Sequence, residues 1–304
     1  MTEIAPRRLL GCSGALTLLL LILAPQTCSA GWEIVFQDDF NASSLDITKW
    51  KTSDLWGNQT LAANGEKQCY LPTSLEQSDG TLKIVAAKGN VLASQCKSAV
   101  RNLEYSSGMI TSSGCNKWEK GVGCQDLSSF SQAYGYFEVR AKVPKGKGLW
   151  SAFWLLPIDG SWPPEIDIME VLGSSTTQAV QTYHFNDTSG KRAKAGTSYS
   201  GSDFSTGFHS YGVDWQPGKL IWYVDGKETY RFSSPSVSAK PMYLLLNLAI
   251  GGHWPGDPDA ATPFPSTMEV DYVKVYRRTK DGTPDDTPPH STSPLKSTPS
   301  DGPR

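Results

Sequence analysis

From Trp32 to Tyr276 the chain is built of short runs in which apolar and polar residues alternate, separated by turn residues. Residues two apart in a strand share a face, so such runs mark strands with one face buried. Leu82-Lys-Ile-Val-Ala86 follows the turn pair Asp79-Gly80. Between Tyr134 and Val143, Phe137, Val139, Ala141 and Val143 fall on one face and Glu138, Arg140 and Lys142 on the other. Leu220–Val224, Asp225-Gly226 and Glu228–Phe232 predict a hairpin, because Asp-Gly suits a type I′ turn. Met242–Ile250 is almost continuously apolar, as expected of a central strand. Met268–Tyr276 alternates again, with Val270, Tyr272 and Lys274 set against Asp271, Val273 and Val275. No long stretch carries helical periodicity. Many short strands at near-regular spacing predict an all-β fold, a β-sandwich or jelly roll.

The two ends differ from this middle. Arg7-Arg8, the apolar run Leu16–Leu23 and the small residues Thr27-Cys28-Ser29-Ala30 predict a secretory signal over residues 1–30, cut after Ala30. The apolar run is shorter than the roughly 20 residues of a membrane span, so no stable membrane insertion is expected. Residues 31–278 then form one large domain, and residues 279–304, rich in Pro, Ser and Thr, are expected to be a disordered tail. An exported chain suggests disulfides among Cys69, Cys96, Cys115 and Cys124. Three pairings exist; Cys115–Cys124 with Cys69–Cys96 is preferred. Zinc is the alternative, but the spacings lack a C-x-x-C. Asn41, Asn58 and Asn186 begin glycosylation sequons that matter in a eukaryotic source. The net charge of −2, with no basic stripe, gives no sign of a nucleic-acid partner. Ten Trp and twelve Tyr against modest charge suit a neutral ligand made of rings.

The candidate chemistry lies in Glu165-Ile-Asp-Ile-Met-Glu170. Glu165 and Asp167 share a strand face, but Glu170, five positions on, would face the other way. A β-bulge near Ile168-Met169 restores the phase and turns all three acids to one side. Three clustered carboxylates repel unless one holds a proton, the condition for an acid and a nucleophile to work side by side. A retaining glycosidase needs such a pair roughly 5–5.5 Å apart. Trp150, Phe153, Trp154 and Trp162 precede the acids and offer faces on which sugars stack. An acidic, solvent-facing strand edge is the alternative reading of the motif.

Taken together, the motifs resemble glycoside hydrolase family 16, and within it the laminarinase-type endo-β-1,3-glucanases. The resemblance spans most of Glu33–Tyr276. Its pieces are Asp38-Asp-Phe40 with Leu45-Asp46 and Lys49-Trp50, Asn64-Gly-Glu66 with Gln68 and Tyr70, Tyr134–Arg140, Trp150 with Phe153-Trp154, Glu165–Glu170, His184, Asn247–Gly252 with Trp254 and Gly256, and Val270–Tyr276. It implies a jelly roll of the concanavalin A-like lectin/glucanase type with a concave substrate cleft. Glu165 would be the nucleophile and Glu170 the acid/base. Asp167 would bond the nucleophile and separate the two pKa values, and His184 would tune the acid or bind sugar. Trp150, Trp154, Trp162 and Trp254 are the expected stacking platforms, and Asn64, Glu66 and Asn247 the expected partners of sugar hydroxyls. Catalysis would need no cofactor. A structural calcium held by Glu33, the Gly80 carbonyl and Asp271 is a further expectation. The implied partner is a β-glucan polysaccharide, bound by a monomer.

Two departures stand out. Pro164 replaces the Gly that usually precedes the first Glu, so the catalytic strand is expected to start at Glu165. Residues Asn116–Ser131 resemble an insertion. Arg192 and Lys194, after His184, are a weak pointer to galactan enzymes that handle sulfated chains. Other β-glucans or galactans, transglycosylation, and a glucan-recognition role without catalysis are the competing functions. The presence of both Glu165 and Glu170 argues against the last.

Overall fold

The computed structural model describes residues 31–52, 59–89, 91, 96, 103–113, 130–283 and 287–289. These form two antiparallel-rich open sheets packed face to face. The first holds ten strands: β1 (Trp32–Asp38), β2 (Gln68–Tyr70), β3 (Leu75–Ser78), β4 (Thr81–Lys88), β5 (Tyr105–Ser107), β7 (Gly135–Lys142), β12 (His209–Gln216), β13 (Lys219–Val224), β14 (Lys227–Ser233) and β16 (Ser266–Arg278). The second holds six: β6 (Met109–Thr111), β8 (Leu149–Pro157), β9 (Glu165–Leu172), β10 (Gln178–Asn186), β11 (Arg192–Ser200) and β15 (Met242–Ile250), in the order β11-β10-β9-β8-β15-β6. Among the described residues the only helical pieces are two single 3₁₀ turns, Ala62–Asn64 and Pro72–Ser74. The fold is the expected jelly-roll sandwich.

The expected hairpin forms: β13 and β14 pair from Val224 and Lys227, and Asp225 and Gly226 both take positive φ, +49° and +73°. Asp79-Gly80 turns in the same way between β3 and β4. β15 is buried along its whole length, next to β8 on one side and β6 on the other.

In β16 the simple alternation fails. A register shift between Val270 and Tyr272 places Met268, Val270, Val273 and Val275 together in the core. Val270 therefore does not share a face with Tyr272 and Lys274 as its spacing suggests. In β7, Glu138 and Arg140 of the polar face are buried too. Glu138 is fully enclosed and accepts hydrogen bonds from Tyr136 and Tyr272, both at 2.8 Å. Arg140 pairs with Asp271.

The core between the sheets is one apolar cluster. Phe137, Val139, Val213, Trp215, Trp222 and Val273 from the first sheet meet Phe153, Ile166, Ile168, Met169, Tyr183 and Leu246 from the second. The outward face of the six-stranded sheet is left for chemistry. Cys69 and Cys96 are bonded, one half of the preferred pairing. Cys115–Cys124, the signal over residues 1–30 and most of the 116–131 loop and the tail lie outside the described residues.

Candidate active site

β9 begins at Glu165, and the bulge is where the spacing of the acids demands it. Against β10, Asp167 lies opposite Thr182 and Glu170 opposite Val180, so two residues of β9 face one of β10. Against β8, Asp167 lies opposite Trp154 and Glu170 opposite Ala152, giving the same count. Ile168 and Met169 both turn into the core, each with no exposed surface, and Glu165, Asp167 and Glu170 share the outward face.

A bulge takes carbonyls out of the ladder, and a buried carbonyl without a donor is costly. Here two side chains supply the donors. The indole of Trp222, on β13 of the opposite sheet, donates to the Asp167 carbonyl at 3.0 Å. The amide of Gln181 donates to the Ile168 carbonyl at 3.4 Å, and its own oxygen accepts from Thr229 at 2.6 Å. Trp222 and Gln181 are completely buried. Neither figures among the sequence-predicted site residues, because their contact with β9 runs through the core.

The acids are in unequal surroundings. Burial holds the Asp167 carboxyl well above the usual range, and the adjacent charge and hydrogen bond of Glu165 add to this. Burial is also the main cause of the raised pKa of Glu170, followed by the charges of Asp167 and Glu165; His184 and a hydrogen bond from Trp150 act against it. Trp150 donates to Glu170 at 3.2 Å and Trp162 to Glu165 at 2.6 Å. His184 lies across the ladder from Glu165, its Nε2 3.3 Å from Asp167 Oδ2. The structure thus gathers Glu165, Asp167, Glu170, His184, Trp150 and Trp162 at one place. Glu165, Asp167 and His184 also bring their ligating atoms within 4.8 Å of one another. The hydrogen bond between the Glu165 and Asp167 carboxyls and the contact of His184 with Asp167 hold these atoms together.

Trp254 stands edge-on to Trp150, ring centroids 5.1 Å apart, and is 45 % exposed. Its loop closes tightly on residues 64–66: Gly252 has φ +117°, and a Cβ there would lie 2.8 Å from the Asn64 carbonyl. Trp162 is 47 % exposed, with Arg192 over its ring at 4.9 Å.

Asn64, Glu66 and Asn247 belong to one polar chain. Trp154 donates to Asn247 at 2.8 Å, Asn247 to Tyr70 at 3.0 Å, and Tyr70 to Glu66 at 3.1 Å. Asn64 and Gln68 also donate to Glu66. Glu66 and Asn247 are each only 4 % exposed, and burial raises the pKa of Glu66. Both side chains are bonded within the chain that ends on Trp154. Tyr70 and Gln68, quoted above only as motif residues, complete the chain.

Of the three expected calcium ligands, Glu33 lies apart from Asp271. Asp271 is buried against Arg140, whereas Glu33 sits opposite Arg277 and is paired with it at 2.7 Å. Positions 271 and 277 are six residues apart on β16, roughly 20 Å along a strand. Glu33 therefore cannot share an ion with Asp271, whereas the pairing of Leu82 with Val270 brings Gly80 close to the level of Asp271.

Comparison with known proteins agrees with this geometry. The profile described as Glycosyl hydrolases family 16 matches residues 81–274. An endo-1,3-1,4-beta-glycanase of Rhizobium meliloti is 37 % identical over 256 residues, 79 % of this chain and 51 % of that protein. The chain thus spans about half the length of that relative. A beta-glucanase of Rhodothermus marinus is 32 % identical over 81 % of this chain and 85 % of its own. The laminarinase catalytic domain from Thermotoga maritima superposes with a TM-score of 0.69 at 31 % identity, over 82 % of this chain and 99 % of the domain. With an acid triad on a bulged strand, the fold and these likenesses in accord, the chain belongs to family 16 of the glycosyl hydrolases.

Proposed function

We propose that the protein is a retaining endo-β-glucanase acting on β-1,3-linked glucan by double displacement. The observation that carries this reading is the bulge at Ile168-Met169, which sets Glu165 and Glu170 on one face with Asp167 between them. Glu165 attacks the anomeric carbon. Glu170, kept protonated by burial and by its acidic neighbours, gives its proton to the departing glycosidic oxygen. Once Glu165 is esterified its negative charge is gone, and one cause of the raised pKa of Glu170 goes with it. Glu170 then takes a proton from water, and the hydroxide so formed releases the sugar from Glu165. Asp167, protonated, donates to Glu165 and leaves it as the ionised member of the pair. Trp150 and Trp162 hold the two reacting carboxyls, and Trp154 and Trp254 offer ring faces to the glucan. Two carboxyls and water suffice, without a cofactor. Residues 1–30 support export, which would put a monomeric enzyme and its polysaccharide outside the cell.

Mixed β-1,3-1,4-glucan is the second reading, favoured by the name of the Rhizobium meliloti relative. The test is release of reducing ends from laminarin and lichenan, with agarose and carrageenan alongside. Cleavage of laminarin, abolished in Glu165→Gln and Glu170→Gln, supports the proposal. Cleavage of lichenan alone selects the second reading. Cleavage of a galactan and not of glucan overturns both, and silence on all four by a folded protein that binds glucan points to recognition without catalysis.

A further inference from the structure

Beside the nucleophile lies a groove that hydrolysis of a neutral glucan does not account for. It has a volume of about 340 Å³ and is lined by Trp162, Pro163, His184, Phe185, Arg192, Ala193 and Lys194. Three of the seven are basic and none is acidic. Arg192 and Lys194 are two apart on β11, the edge strand, and so point to the same side; both are exposed. Lys194 lies directly across the ladder from His184, which in turn lies across from Glu165.

Like charges held this close repel, and surface cations elsewhere in this molecule relieve the problem with a carboxylate. Lys67 pairs with Asp257, Arg231 with Glu228 and Lys240 with Asp159. Among the described residues, Arg192 and Lys194 have no such partner. Arg192 is instead laid over the indole of Trp162, whose N–H is engaged by Glu165. A guanidinium held over a ring face still has N–H groups to offer a bidentate acceptor. With a net charge of −2 the whole chain exerts no general pull on anions, so this positive spot is local.

We propose that this groove receives an anionic substituent, a carboxylate or a sulfate ester, on a sugar of the glucan bound beside Glu165, with Arg192 and Lys194 as its specificity residues. The inference rests on the glucanase reading and narrows its substrate class to acid-substituted β-glucans. Trp162 carries the sugar next to the substituent, and the two cations hold the charge on the far side of it from Glu165.

The test compares kcat/KM of the full chain on laminarin, lightly carboxymethylated laminarin and lightly sulfated laminarin. A charge-assisted contact with a fixed cation predicts a preference of about tenfold for a substituted polymer. That preference should collapse towards unity at about 1 M salt, where the Debye length is about 3 Å, and in the double variant Arg192→Gln/Lys194→Gln. Lys194→Gln alone, which leaves the Arg192–Trp162 stack intact, should lose part of it. Preference for the carboxymethylated or for the sulfated polymer identifies the source of the charge. No preference in the wild type, or a preference that survives the double variant, overturns the inference. Binding of the same three ligands to Glu165→Gln, by calorimetry, separates the two claims. A charge-dependent affinity lost in the triple variant upholds the anionic groove even where no polymer is cleaved, and only the glucanase reading then fails.

Discussion

Trp222→Phe tests whether the opposite sheet holds the catalytic strand in shape. The indole is fully buried and its N–H meets the Asp167 carbonyl at 3.0 Å. Phe keeps an aromatic ring there but supplies no donor. A buried carbonyl stripped of its partner costs about 1–3 kcal/mol. The smaller ring leaves roughly 40 Å³ unfilled, which at about 24 cal/mol per Å³ adds about 1 kcal/mol. The expected loss of stability is therefore about 2–4 kcal/mol, read as a lowered urea midpoint at unchanged m-value. Activity should suffer independently. If the bulge relaxes and Glu170 moves by about 1 Å, kcat on laminarin falls by about 10²-fold. Trp215→Phe is the control. Trp215 is equally buried and donates to the Ser238 carbonyl at 3.0 Å, away from β9. It should cost similar stability and leave kcat within about threefold of wild type once assayed below its unfolding range. Equal effects of the two variants on kcat, or a Trp222→Phe protein with full kcat, would refute the idea that this indole positions the acids.

Other outcomes follow from the same geometry. The pKa values of Asp167 and Glu170 are raised by folding above their ordinary values of 3.8 and 4.5. Their contribution to stability is then complete below those ordinary values and is lost as pH rises through the raised ones. Asp167→Asn should consequently be more stable than wild type at neutral pH and show no gain in acid, as thermal melts across pH would reveal; a gain that is independent of pH would contradict this. Hydrolysis should fail on the alkaline side as Glu170 loses its proton, and Glu170→Gln should remove that limb from the residual rate on a substrate with a good leaving group. Tyr70→Phe breaks the chain between Asn247 and Glu66 and should cost about 1–3 kcal/mol, with a raised KM because Asn247, which anchors Trp154, loses its own acceptor; an unchanged KM would assign the chain to stability alone. Reducing Cys69–Cys96, which are 27 residues apart, should lower stability by about 3.5 kcal/mol on loop-closure grounds, measurable by denaturation with and without reductant.

The acids and their bulge were legible because strand parity is local. Five positions between Glu165 and Glu170 can face one way only with an extra residue between them, and β9 has it. Asp225-Gly226 was legible for the same reason, a two-residue signal for a two-residue turn. Parity misled in β16, where the irregularity at Asp271 is marked by no cluster of like residues that must be brought to one face. What sequence could not supply was contact across distance. Trp222 reaches β9 from 55 residues away, and Tyr70 reaches Asn247 from 177. Asn64, Glu66 and Asn247 belong near the site by resemblance, but the burial of Glu66 and Asn247 and the bonding of all three depend on how the loop before β2 folds over β15. The placing of Glu33 turned on the same point: it and Asp271 lie on neighbouring strands but at levels six residues apart.

The extra residue in β9 does more than set which way the acids point. Removing Ile168 would restore straight alternation, with Glu165, Asp167 and Glu170 still outward and Glu170 one position, about 3.3 Å, nearer. What would disappear are the two carbonyls that leave the ladder and look inward. Through them β9 is fastened in a third direction, to Trp222 of the facing sheet directly and, by way of Gln181 on β10, to Thr229 of that same facing sheet. A regular strand hangs only from its neighbours to left and right, and slides with them. This one is pinned through the thickness of the sandwich, so the spacing of its acids is tied to the packing of the core.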